Sequence, residues 1–193
     1  MNCFKKTPAL PHEDLVYLKQ HTRYDESQIN EWYKCFMKDF PKGQLTRIRF
    51  IDAFNMLFPN GNAKDFCAHV FRTFDLDGKG TIDFKEYVMA MDQLKKGSSE
   101  DRLKWAFKMY DADGNGSIDI DELTNIVKAI YDMVSVGDKK PTDTAEERAR
   151  AIFKKMDKNS DGRITETEFI DSCKDDDALR NMLESNYKEE VKG

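Results

Sequence analysis

Three segments of the 193-residue chain place oxygen-bearing side chains at intervals that can surround a cation: Asp75-Leu76-Asp77-Gly78-Lys79-Gly80-Thr81-Ile82-Asp83, Asp111-Ala112-Asp113-Gly114-Asn115-Gly116-Ser117-Ile118-Asp119, and Asp157-Lys158-Asn159-Ser160-Asp161-Gly162-Arg163-Ile164-Thr165. Each is completed by a Glu at the twelfth position: Glu86, Glu122 and Glu168. Calcium is a hard ion that takes six to eight oxygens, and a twelve-residue loop delivers them from positions 1, 3, 5, 7, 9 and 12, with Gly at 6 for the sharp turn. In loop 3 (111–122) those positions are Asp111, Asp113, Asn115, the Ser117 carbonyl, Asp119 directly or through water, and Glu122 as the bidentate closing ligand. In loop 4 (157–168) they are Asp157, Asn159, Asp161, the Arg163 carbonyl, Thr165 and Glu168. Both loops are predicted to bind Ca2+.

Loop 2 (75–86) is weaker, because Lys79 stands where a donor belongs and a protonated amine has no lone pair to offer. Asp75, Asp77, Asp83, Glu86 and the Thr81 carbonyl remain, and Lys79 is long enough to swing into solvent while water fills its place. A fourth copy, loop 1 (38–49), keeps Gly43 and the apolar Leu45 but puts Lys38, Phe40 and Arg49 at positions 1, 3 and 12. It should bind nothing and serve as scaffold by pairing with loop 2. Ile118 and Ile164, at position 8 of loops 3 and 4, are expected to meet in a short antiparallel contact.

Such loops need helices on either side. Apolar residues follow helical spacing around them, as in Trp32 and Phe36, Phe71 and Phe74, and Leu123, Ile126, Val127 and Ile130. Asp25 with Gln28, and Thr144 with Glu147, have the spacing of capping boxes that satisfy free amides at a helix start. The polar stretch 95–99 (Lys95 to Ser99) divides the chain into lobes 1–97 and 98–193, as either a hinge or a plain turn. The longer insert Ser135 to Asp143, with Gly137 and Pro141, reads as an exposed loop. Leu179, Met182, Leu183 and Tyr187 recur at helical spacing and predict a last helix, either packed on the second lobe or occupying part of the groove.

Composition excludes several classes. With 39% hydrophobic residues, 13 Phe, 7 Tyr and 2 Trp, the chain has too much buriable surface for a disordered one. Its longest apolar run, Tyr87 to Met91, is far too short to span a bilayer. The net charge of -5 argues against nucleic acid, although residues 1–50 hold nine Lys and Arg against six Asp and Glu and could face anionic lipid. Cys3, Cys35, Cys67 and Cys173 form no CxxC pair and residues 1–6 lack the apolar stretch of a secretory signal, so a cytoplasmic setting is expected. His12, His21 and His69 lie in no nucleophile or acid–base constellation, so catalysis is not expected.

Longer motifs carry a family likeness. Glu31-Trp32-Tyr33-Lys34 leading into a ligand-poor first loop, Phe58-Pro59-Asn60-Gly61-Asn62-Ala63, Val70-Phe71-Arg72-Thr73-Phe74-Asp75, and Leu103-Lys104-Trp105-Ala106-Phe107-Lys108-Met109-Tyr110-Asp111 resemble the neuronal calcium sensor family of EF-hand proteins over nearly all the chain. The resemblance implies an all-α protein of four EF-hands in two pairs, in a compact recoverin-like arrangement with a C-terminal helix. It also implies a sensor acting on a membrane-associated target, among which a guanylate cyclase, a receptor kinase, an ion channel and a lipid kinase are all compatible. Two positions depart from the family. Asn2 replaces the Gly that N-myristoylation requires, leaving Cys3 beside Lys5 and Lys6 as a possible acylation site, and Phe40-Pro41 replaces the usual Cys-Pro. Trp32, Tyr33, Phe36, Phe50, Phe54, Leu57, Phe58, Val88 and Met91 are the candidates for a groove that accepts an amphipathic helix. The alternatives are a cytosolic calcium buffer, which would use the same ligands, and a regulatory subunit of an enzyme such as a guanylate cyclase; an aromatic cluster in a lobe whose first loop is dead favours a sensor over a buffer.

Overall fold

The computed structural model describes residues 8–57, 62–134 and 142–176. Asn2, Cys3, Phe58, the Leu57 side chain, most of the insert and the tail positions Leu179 to Tyr187 lie outside that description. In chain order the elements are α1 (His12–His21), α2 (Glu26–Asp39), β1 (Gln44–Thr46), α3 (Arg47–Leu57), α4 (Lys64–Phe74), β2 (Thr81–Asp83), α5 (Phe84–Lys96), α6 (Ser99–Tyr110), β3 (Ser117–Ile118), α7 (Ile120–Val134), α8 (Ala145–Met156), β4 (Ile164–Thr165) and α9 (Glu166–Asp175). This is the predicted all-α fold of two paired helix–loop–helix units, with only two- and three-residue strands inside the loops.

The strands join loops in pairs. β1 runs antiparallel to β2 with Leu45 opposite Ile82, and β3 antiparallel to β4 with Ile118 opposite Ile164. Ile82, Ile118 and Ile164 are fully buried and Leu45 nearly so. The β-branched isoleucine at the centre of loops 2, 3 and 4 therefore does two jobs: it suits the extended backbone, and it anchors the loop to the core beneath. The backbone repeats as faithfully. Positions 4 and 6 take left-handed φ in every loop with a full or near-full ligand set: Gly78 and Gly80, Gly114 and Gly116, then Ser160 and Gly162. Ser160, at φ 60°, holds without glycine a conformation that costs an L-residue about 1 kcal/mol or more.

Helix starts follow their side-chain chemistry. Both predicted capping boxes form: Gln28 N donates to Asp25 Oδ1 at 2.9 Å, and Glu147 N to Thr144 Oγ1 at 3.1 Å. A third opens α6, where Asp101 N donates to Ser98 Oγ and Ser98 N to Asp101 Oδ2. Between α5 and α6 the chain turns at Gly97, where a Cβ would collide with the Gln93 carbonyl and Asp101. The turn is clamped. Arg23 donates from its backbone and Nη1 to the buried Asp92, at 2.7 and 2.6 Å, and from Nη2 to Asp101 at 2.8 Å. Lys96 Nζ reaches the Arg23 carbonyl at 2.9 Å.

One buried cluster runs from Leu18 and Ile29 through Phe66, Phe71 and Ile82 to Trp105, Ile126, Ile152 and Phe169. It is continuous across both halves because α4 lies against α6 and α7, and α5 against α6. Phe74 meets Trp105 edge-on at 6.2 Å across this contact.

Candidate metal centre

Each closing glutamate belongs to the helix it precedes as well as to the loop it completes. Position 9 is the N-cap of the exiting helix and position 12 its third residue, so the two form a capping box: Asp83 with Glu86, Asp119 with Glu122, and Thr165 with Glu168. The box fixes where the carboxylate sits. Glu86 Oε2 accepts from Asp83 N at 2.9 Å, while its Oε1 accepts from Leu76 N and Asp77 N at 2.9 and 3.2 Å on the far side of the loop. Glu122 repeats this, with Ala112 N at 2.8 Å, Asp113 N at 3.1 Å and Asp119 N at 3.0 Å. Glu168 Oε2 accepts from both the amide and the hydroxyl of Thr165, which holds its carboxyl below the usual range. Burial pushes the Glu86 carboxyl up instead.

The entry side of each loop is held by the first aspartate. Asp75 Oδ2 accepts from Gly80 N at 2.8 Å, Asp111 Oδ2 from Gly116 N at 3.0 Å, and Asp157 Oδ2 from Gly162 N at 3.1 Å. The result is a ring of oxygens facing inward. One carboxylate oxygen from each of Asp75, Asp77 and Glu86 lies within 4.8 Å of the others, and the same holds for Asp111, Asp113 and Glu122. Among the described residues these are the two close carboxylate triads. Like charges this near repel unless a cation joins them. Asp75 Oδ1 adds a sharper sign in loop 2, being buried with no hydrogen-bond partner. The donor set, all hard oxygens with carboxylates dominant, fits a hard divalent cation such as Ca2+.

Loop 4 has the neutral Asn159 at position 3, whose Nδ2 donates to Asp161 at 3.0 Å, and its carboxylates are Asp157, Asp161 and Glu168. Loop 2 gathers its charges well, and its Lys79 side chain is largely exposed yet paired within the loop. Its Nζ sits 2.5 Å from Asp77 Oδ2 and its amide donates to Asp77 Oδ1, so the ammonium neutralises a ligand. An isolated chain cation turns to its nearest carboxylate; Asp77 is held below its usual range by Lys79, and Lys79 above its own by Asp77. Ser117 and Arg163, the position 7 residues of loops 3 and 4, are linked by Arg163 Nη1 donating to Ser117 Oγ at 3.1 Å. Loop 1 has no triad, and its Gly43 amide closes a turn on the Phe40 carbonyl.

The nine groove candidates fall into groups. Phe36, Phe50 and Val88 are interior residues here, and Trp32, Tyr33, Phe54 and Met91 are half-buried. Their rings pack on one another: Trp32 on Tyr24 and Tyr87, Phe36 on Phe84 and Tyr87, Tyr33 on Phe84, Phe50 on Phe54, Phe71 and Phe74. Lys95 Nζ lies over the Trp32 ring at 5.4 Å. Tyr24, Phe84 and Tyr87 were not among the candidates, although Phe84 and Tyr87 share helical spacing with Val88 and Met91.

Paired helix–loop–helix units with inward-facing oxygens define an EF-hand calcium-binding protein. Sequence profiles of the EF-hand domain pair match residues 41–94 and again 100–174. Human recoverin is 38% identical over 170 residues, covering 86% of this chain and 85% of recoverin. Neuronal calcium sensor 1 of Lymnaea stagnalis is 41% identical over 181 residues (93% and 95%), and chicken visinin 30% over 187 (95% and 97%). The chain belongs to the neuronal calcium sensor family, whose members are sensors and not enzymes. No helix of the described residues is long and apolar enough to cross a membrane.

Proposed function

We propose that this protein is a calcium sensor with sites in loop 3 and loop 4, a third in loop 2 weakened by Lys79, and lobes at 1–97 and 98–193. The observation that carries the reading is the triad Asp111, Asp113 and Glu122, set within 4.8 Å. Bound calcium supplies the two positive charges that such a triad lacks. Glu86, Glu122 and Glu168 stand in the first turns of α5, α7 and α9, so a change in how a closing carboxylate is held is a change in the angle of its helix. α5 packs Phe84 and Tyr87 against Trp32, Tyr33 and Phe36 of α2, so the aromatic seam of the first lobe is what α5 uncovers when it tilts.

The surface so exposed suits an amphipathic helix of a membrane-associated protein: a guanylate cyclase, a receptor kinase, an ion channel or a lipid kinase. Support for a peripheral position comes from the first lobe, where Lys38, Lys42, Arg47 and Arg49 are exposed around Ile48, itself 73% exposed. The test is a calcium titration followed by calorimetry, an apolar dye, and Trp32 and Trp105 fluorescence. Glu122→Gln with Glu168→Gln should abolish most of the heat and the dye response. Unchanged heat would refute the sites, and heat without any dye response would make the protein a buffer.

A further inference from the structure

Arg72 belongs to no loop, yet it touches one. It stands on α4 three residues before Asp75, the first ligand position of loop 2, and its guanidinium reaches the last turn of α6, which enters loop 3. Nη1 donates to the Asp111 carbonyl at 2.7 Å; Nη2 donates to the Met109 and Lys108 carbonyls at 3.0 and 3.2 Å. Carbonyls at a helix C-terminus lack partners within the helix and favour a cation. Asp111 is the first ligand position of loop 3. One side chain thus joins the entry points of two loops that sit in different lobes and share no strand. The contact is continued on either side by the Phe74–Trp105 edge contact and by His69, one turn earlier, at the Met109 backbone. The Arg72 charge also lies in the field of Asp111, Glu122 and Asp113.

We propose that Arg72 is a positioning residue that couples calcium binding in loop 2 to calcium binding in loop 3. The inference rests on the reading of both loops as calcium sites. The end of α4 cannot shift to suit Asp75 without moving the backbone of Asp111, because three hydrogen bonds from one rigid plane fix their separation. Lysine keeps the charge but cannot span three carbonyls from one ammonium.

The experiment uses the full chain, 15N-labelled and titrated with calcium. The amides of Gly80 and Gly116, each bonded to the first aspartate of its loop, report the two sites separately. With Arg72 present, Glu86→Gln should weaken calcium binding at Gly116 on the order of tenfold, within the usual range of coupling between sites. In Arg72→Lys the same change should move Gly116 by less than about twofold, and reciprocity requires that Glu122→Gln behave likewise at Gly80. Arg72→Gln, with donors but no charge, should lose the coupling too and serves if Arg72→Lys fails to fold by circular dichroism. Equal effects of Glu86→Gln with and without Arg72, or none with it, would overturn the proposal. No response of Gly80 and Gly116 in the unaltered protein would overturn the calcium sites themselves, and the coupling with them.

Discussion

Leu45 lies in the loop that has lost its ligands, and replacing it with Ala asks whether that loop still matters. The side chain is 5% exposed and faces Ile82, which is fully buried between the Thr81 carbonyl and Asp83, two donors of loop 2. Buried Leu→Ala changes cost about 2 to 5 kcal/mol through lost burial and the cavity left behind. The pair sits in three-residue strands that can relax, so the lower end applies, about 2 to 3 kcal/mol. At about 2 to 4 °C per kcal/mol for a chain of this size, the metal-free protein should melt roughly 5 to 10 °C lower. Loop 2 should suffer beyond that, because Thr81 and Asp83 lose the strand that spaces them. The assay is thermal unfolding by circular dichroism, with a calcium titration read at the Gly80 amide and Leu45→Ile as the volume-matched control. A melt within about 2 °C of the unaltered protein, together with an unshifted Gly80 midpoint, would show that loop 1 is not a scaffold for loop 2.

Lys79→Asn should strengthen calcium binding in loop 2, since it frees Asp77 from the ammonium and adds an oxygen at position 5; calorimetry that finds no tighter site would exclude competition by Lys79. His69 is held below its ordinary pKa of 6.5, first by burial and then by the Arg72 cation. The unfolded chain therefore takes up this proton first, so the stability that comes from the neutral ring is complete above pH 6.5 and is lost as pH falls below it. His69→Gln should flatten the fall by at most about 1.4 kcal/mol per pH unit, measured as urea midpoints across that range. An unchanged slope would place His69 outside the acid response.

What could be read from the sequence is what fixed spacing enforces. Ligands at 1, 3, 5, 9 and 12 are needed by the geometry of a coordinated ion, and the register of Ile118 on Ile164 follows once two such loops are paired. The boxes at Asp25 and Thr144 were equally legible because an N-cap and its partner are three residues apart. The same spacing recurs at Asp83 with Glu86 and Thr165 with Glu168, where the ligand role hid the capping role. At Lys79 the pattern shows a missing oxygen but not the carboxylate on which the tethered cation settles. Arg72 and Asp92 lay beyond reach altogether. Their partners are 36 to 39 and 69 residues away, and no local pattern announces them.

The clamp at Gly97 bears on how this chain can be divided. Duplicated units invite treatment as interchangeable parts, to be cut apart, swapped or studied singly. Here a cut at the glycine would strand Arg23 from Asp101 and lay bare Trp105, which is 2% exposed in the intact molecule. The repeat describes how the chain is patterned, while the contacts around Gly97 join its two halves.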